Sequence, residues 1–263
     1  MTASLLRAVV AAAECAARDR EVRLPESALE LPPPRPGVFR QALMTGAVPR
    51  IIAECKRRSP SRGVLKRDYD PAAVALAYAE AGAAAISVLT EPTFFDGSLD
   101  HLRAVRRTVD IPLLRKDFIV SRYQIAEARA AGADAVLLIV AAMEPARLRA
   151  LIATATEFAL DALVEVHDET EIDTALSAGA TILGVNSRHL HTLAVDPGVH
   201  LALAARLPAD TPAVAESGIR DGRAAAVRAR SGYRACLVGE RFMSEAEPGH
   251  ALRRLIAEAE VAA

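Results

Sequence analysis

DALVEVHDETEIDTALSAGATILGVNS, residues 161–187, contains one complete turn of the pattern on which the fold rests. DALVEV (161–166) is a short apolar, β-branched run of strand length, and ILGVNS (182–187) is another. Between them ETEIDTALSAG has helical spacing and ends at Gly179, where a glycine adopts the left-handed conformation cheaply and turns the chain back. Neither run alternates strictly between apolar and polar residues. That is expected of a parallel strand whose outer face is covered by helices.

Working outward, the same unit recurs. IIAECK (51–56), AAISVL (84–89), PLLRKD (112–117) and AVLLIV (135–140) precede it, and PAVAES (212–217) and ACLVGE (235–240) follow. Successive starts lie 21 to 33 residues apart, room for a strand, a helix and two loops. Helical stretches such as PAAVALAYAEAG and YQIAEARAAG fill the gaps, several ending in Gly82, Gly132 or Gly232. Eight alternations predict a closed (β/α)₈ TIM barrel within the α/β class, with an open doubly wound sheet as the alternative. The predicted division is an N-terminal helical extension over 1–48 and a barrel catalytic domain over 49–263. In the extension, Leu5, Leu6, Val9, Val10 and Ala13 follow helical spacing, predicting an amphipathic helix over 3–20. LPPPRPG (31–37) reads as a stiff connector. The helix is expected either to plug or flank the barrel floor, or to lie as a lid near the site.

Composition narrows the partners. Apolar residues make up 52% of the 263-residue chain, enough for one large core, and the formal net charge is -1. No basic excess points to nucleic acid, so a small molecule is the expected partner. Cys15, Cys55 and Cys236 are scattered, odd in number and lack metal-ligand spacing, which predicts a reducing compartment and no structural metal. The apolar opening stretch is broken by Arg7, Glu14 and Arg18 and reads as neither signal peptide nor membrane span. Cytoplasmic localisation and no membrane contact are the expectations.

A barrel carries its site where strands end and loops begin. The predicted strand ends hold an unusual set of charges: Glu54 and Lys56, then Lys116, Glu165, Asn186 with Arg188, and Glu216. Alternation puts Glu54 and Lys56 on one face of their strand and Cys55 on the other, against the helices. Burying this many charges has a high desolvation cost unless they converge on a ligand or on one another. Lys56, Lys116 and Arg188 balance Glu54, Glu165 and Glu216, and no histidine cluster suggests a metal, so the chemistry expected is acid–base. His189 and His191, in HLH, are expected at the surface. After the last two runs, Ser217-Gly218 and Gly239-Glu240 suit a phosphate cradle of backbone N–H groups.

IIAECKRRSPSRG, then ISVLTEPTFFDGS, LLRKDFIV, VEVH, GVNSRHL, VAESGI and LVGE, resemble indole-3-glycerol-phosphate synthases in content and order, from about residue 38 to 245. The resemblance implies a cofactor-free carboxy-lyase of tryptophan biosynthesis. Its substrate, the anthranilate-derived sugar phosphate 1-(2-carboxyphenylamino)-1-deoxyribulose 5-phosphate, closes to indole-3-glycerol phosphate with loss of carbon dioxide and water. It implies Lys116 as general acid and Glu165 as the base for dehydration, with neighbouring carboxylates expected to raise the pKa of Glu165. Glu54 and Lys56 match the pair assisting proton transfers, and Ser59, Asn186, Arg188 and Glu216 match substrate-positioning residues. Ser217, Gly218, Gly239 and Glu240 match the phosphate cradle. Leu89, Phe95, Leu137 and Leu190 are the implied apolar walls, each equally readable as core.

The departures from the family pattern are Ser121-Arg122 after KDFIV, His189, and Arg241 after GE. Ser121 is still expected to cap its helix, and Arg241 to lie near the phosphate. Two rival functions share the fold: an aldolase forming a Schiff base on Lys116, and a non-catalytic phosphosugar-binding barrel. Phosphoribosyl isomerases of the same fold leave SPSRG unexplained.

Overall fold

The computed structural model describes residues 5–189 and 192–262. Eight parallel strands close into a barrel: β1 (Arg50–Cys55), β2 (Ala85–Leu89), β3 (Leu113–Lys116), β4 (Ala135–Ile139), β5 (Asp161–Val166), β6 (Leu183–Asn186), β7 (Ala213–Glu216) and β8 (Ala235–Val238). Each pairs with its neighbour in sequence, and β8 closes on β1 with Arg50 opposite Ala235 and Ala53 opposite Val238. Every strand lies within a residue or two of the run expected from sequence. Not expected was a two-stranded hairpin, Arg58–Ser59 with Gly63–Val64, inside the loop after β1.

The pleat sorts side chains into two cores. Ile51, Ala53 and Cys55 point outward into the layer beneath the helices, with Val74, Tyr78 and Val88. Ile52, Leu114, Leu163, Val214 and Leu237 point inward into a separate apolar cluster. Cys55 is fully buried on the helix side, as the alternation of β1 required. Helices between strands turn back through Gly82, Gly132, Gly179 and Gly232, whose φ angles lie between 89° and 99°. Ser121 caps the helix Arg122–Ala130, its hydroxyl accepting from the Gln124 N–H at 3.3 Å.

Ahead of β1 stand two helices, α1 (Leu5–Arg23) and α2 (Val38–Met44), and they divide the two expected tasks. α2 plugs the floor: Phe39 and Leu43 are fully buried in the inner cluster, each contributing about 1.5–3 kcal/mol of apolar burial. Its first turn is anchored by the Arg40 N–H donating to Asp161 Oδ2 at 2.9 Å. The proline-rich connector runs outside the barrel, tied by Arg35 to the Asp110 carbonyl at 2.6 Å and to Asp134 at 3.5 Å. α1 sits at the other end, with Leu6 and Val9 facing the cavity described below. The sequence pattern found α1 but not α2, whose seven residues are too short for a periodic signal.

Candidate functional site

A cavity of about 820 Å³ opens at the C-terminal ends of the strands. Its lining includes Glu54, Lys56, Ser59, Leu89, Phe95, Lys116, Leu137, Glu165, Asn186, Arg188, Glu216, Ser217, Gly218, Gly239 and Glu240. The structure thus brings these residues, named from all eight strands and their loops, around one space. Leu190 and His191 lie outside the described residues.

The charges form one connected cluster. Lys116 Nζ donates to Glu216 Oε2 at 2.9 Å and lies 3.3 Å from Glu165 Oε2, and Lys56 Nζ lies 2.5 Å from Glu54 Oε2. The three carboxylates are almost fully buried. Burial by itself lowers the pKa of Lys116, but Glu216, Glu165 and Glu54 outweigh it and hold the ammonium well above the usual lysine range. The carboxylates do not share Lys116 equally. Burial, with Glu165 and Glu54 nearby, pushes Glu216 up to about 7 despite Lys116. Burial also works against the charge on Glu165, but Lys116, His167 and the Asn186 amide prevail and hold its pKa below the ordinary glutamate value. The expected rise at Glu165 is therefore corrected: the neighbouring carboxylates raise Glu216, while Glu165 faces Lys116, His167 and the Asn186 amide.

Two glycines make room for these carboxylates. A Cβ on Gly184 would collide with Glu216 Oε1, and one on Gly239 with Glu54 Oε2. Gly239 was named from sequence for the phosphate; Gly184, in the middle of ILGVNS, was not named. Its signal was present, since a glycine inside a strand marks a close approach. Ser217 and Gly218 follow β7 with φ of 64° and 72°, so the backbone turns sharply where the cradle is expected. After β8 a single helical turn, Glu240–Met243, begins at Gly239. The Glu240 carboxylate itself pairs with Arg62 at 2.9 Å and stands 3.8 Å from Arg188, bridging the loops after β1 and β6. Only the backbone at Glu240 is then suited to an anion. Arg220 and Arg241 also reach the cavity. Arg241 donates to the Arg220 carbonyl at 3.2 Å and pairs with Glu245.

The apolar wall is wider than Leu89, Phe95 and Leu137. Phe94, Phe118, Leu237 and, from α1, Leu6 and Val9 complete it. α1 is fastened beside this wall by ion pairs. Arg20 reaches Glu127 at 2.6 Å, and Glu127 also holds Arg115 at 3.1 Å. Arg115, on the outward face of β3, is the largest fully buried side chain and reaches Asp117 at 2.9 Å. Arg115 was not expected from sequence, because an outward-facing strand position is expected to be apolar, and Arg20, Asp117 and Glu127 read as ordinary helix and loop charges.

Among solved structures, thiamine phosphate pyrophosphorylase from Pyrococcus furiosus superposes with a TM-score of 0.60 at 19% identity, covering 81% of this chain and 96% of that one, a likeness of fold alone. Indole-3-glycerol phosphate synthase from Chlorobium luteolum is 52% identical over 198 residues, 75% of this chain and 76% of the relative. The enzyme of that name from Parafrankia sp. is 51% identical over 238 residues, 90% and 88% respectively. With the indole-3-glycerol phosphate synthase family model matching residues 10–255, across α1, the barrel and its charged mouth, the chain belongs to that family.

Proposed function

We propose that this chain closes the indole ring of 1-(2-carboxyphenylamino)-1-deoxyribulose 5-phosphate, giving indole-3-glycerol phosphate, carbon dioxide and water, as a lyase of tryptophan biosynthesis. The observation that carries the assignment of roles is the Lys116 ammonium held between Glu165 and Glu216 at the mouth. Attack of the aromatic carbon on the sugar ketone builds negative charge on the ketone oxygen. Lys116, firmly protonated, donates a proton to that oxygen and stabilises the charge before transfer. Carbon dioxide then leaves with its bonding electrons returned to the ring; the new hydroxyl takes a proton from the Lys56 ammonium and departs as water while Glu165, ionised, accepts the proton from the adjacent substrate carbon. Glu54 and Lys56 form a second pair for proton transfers. Ser59, Asn186, Arg188 and Glu216 hold the substrate's polar groups. The phosphate lies against the backbone of Ser217, Gly218, Gly239 and Glu240, and Leu89, Phe95 and Leu137 enclose the aromatic ring. α1 covers the apolar side and excludes water through Leu6 and Val9.

The Schiff-base alternative needs a lysine with a lowered pKa. Lys116 is pushed the other way by three carboxylates. A binding-only barrel has no need for the intact Glu54, Lys56, Lys116 and Glu165 set. The test is fluorescence-monitored turnover of the carboxyphenylamino-deoxyribulose phosphate by wild type, Lys116→Met and Glu165→Gln. Product from wild type, with kcat lower by about 10²–10⁴-fold in both variants, is expected. A folded wild type that binds the substrate without turning it over overturns the reading.

A further inference from the structure

Beyond the cavity lining, the residue that follows β5 is a histidine, His167, with no role in the proposed reaction. It stands two residues after Glu165, just past the strand end, and its ring lies beside the Glu165 carboxylate. The helix after β5, Glu169–Ser177, is capped by Asp168, whose carboxylate accepts the Glu171 N–H at 2.8 Å. Glu171 then reaches back: its Oε2 accepts the His167 backbone N–H at 2.7 Å and lies 3.1 Å from ring Nδ1. This clamp turns Nε2 toward Glu165 Oε1, 3.4 Å away. Nε2 is buried and makes no hydrogen bond among the described residues.

We propose that His167, clamped by Glu171, is a positioning residue for Glu165, keeping that carboxylate ionised and turned toward Lys116. The proposal rests on Glu165 being the base of the reaction proposed above. With Nδ1–H given to Glu171, a neutral ring would aim the Nε2 lone pair at a carboxylate oxygen, whereas the imidazolium presents an N–H there. The arrangement therefore suits the cation. Burial works against that charge, but Glu171, Glu165 and Glu216 together hold the His167 pKa above its ordinary value.

The groups facing the pair come from the surrounding strands. β3 supplies Lys116, β7 supplies Glu216, β6 supplies the neutral Asn186, and β1 supplies Glu54, which acts on Lys116 and Glu216. Lys116 is shared between two carboxylates, so among the described residues His167 is the cation that Glu165 has to itself. Glu216, which has none, is the carboxyl that rises.

The test is a carboxylate ¹³C NMR titration of Glu165 in wild type and in His167→Gln, with Glu165→Gln identifying the resonance. Removing the imidazolium is expected to raise the Glu165 midpoint by about one pH unit. The reciprocal measurement does not need that variant to fold: the His167 ring midpoint is expected to fall by a similar amount in Glu165→Gln. If either midpoint stays at its wild-type value, the inference is overturned. The acid limb of kcat/KM in His167→Gln separates this inference from the reading beneath it. A limb that rises with the Glu165 midpoint supports both. A midpoint that moves while the limb stays fixed keeps His167 as the positioning group and removes Glu165 as the base.

Discussion

The two ends of the barrel interior are filled by opposite means. At the floor, α2 inserts Phe39 and Leu43 among Ile52, Leu114, Leu163 and Val214, an apolar plug whose nearby carboxylate, Asp161, is half-buried and held by the backbone of α2. At the mouth the same strands end in Glu54, Lys116, Glu165 and Glu216, three buried carboxylates whose ion pairs among the described residues are with Lys116, Lys56 and His167. Buried ion pairs recover little net stability, because desolvation offsets their attraction. The floor therefore carries the stability of the inner core, and the mouth sacrifices some of it to hold charges where a substrate can use them.

The sharpest way to break this comparison is to damage the floor and watch the mouth. Leu43→Ala removes buried apolar volume that helix and strands cannot refill. It is expected to cost about 2–5 kcal/mol in denaturant unfolding, with kcat/KM of the remaining folded enzyme close to wild type. A variant that keeps its stability but loses turnover would show that floor and mouth are not separable.

The converse change is Gly184→Ala, one methyl at the mouth. Its Cβ meets Glu216 Oε1 and must displace the carboxylate that shares Lys116. A displacement of about 1 Å in such a cluster is expected to lower kcat/KM by roughly a hundredfold. The unfolding free energy should change much less than in Leu43→Ala. Equal stability losses in the two variants would erase the distinction.

The two ends also differed in how far the sequence revealed them. The strands were legible because each is a short apolar run bounded by turn residues, and the catalytic candidates because a charge at the end of such a run is conspicuous. α2 was not legible: seven residues show barely two turns of pattern, and its function as a plug depends on barrel closure. Glu171 and His167 were missed for a related reason. Glu171 reads as an ordinary first-turn acid on a helix, and only the folded loop shows it gripping the histidine. The ionisation of Glu165 was misread because strand position gives neighbours but not which carboxylate each cation faces.

A subtler expectation concerns pH. Glu216 is raised from 4.5 in the unfolded chain to about 7 in the fold. Between those values the folded state binds more protons than the unfolded one, so stability falls as pH rises. Wild type should be favoured below about pH 5 and lose stability through about pH 7, by on the order of 2 kcal/mol from Glu216; the raised His167 adds to the fall, while the depressed Glu165 acts only below the ordinary glutamate range. Glu216→Gln lacks this proton and should show a flatter dependence in unfolding measured from pH 5 to 8. Parallel curves for the two proteins would mean that Glu216 is ionised throughout and the mouth is less strained by its charges than the comparison holds.

The smallest expected effect tests how far the charged mouth extends. Arg241 stands one residue beyond Gly239-Glu240 and lines the cavity, but its guanidinium is already engaged by Glu245 and the Arg220 carbonyl. It is about one-third exposed, so water screens whatever field it adds at the cradle. Backbone N–H groups fixed by the turn at Ser217 and Gly218 need no side chain to hold an anion. Arg241→Ala should then raise KM by about twofold to fivefold, a surface-charge contribution of at most about 1 kcal/mol, and leave kcat and stability unchanged. The increase should shrink as salt is added, since a partly exposed cation acts through a screened field. A tenfold or larger rise in KM that persists in salt would place Arg241 in direct contact with the phosphate. An unchanged KM would confine the electrostatics of the mouth to the buried cluster and the backbone.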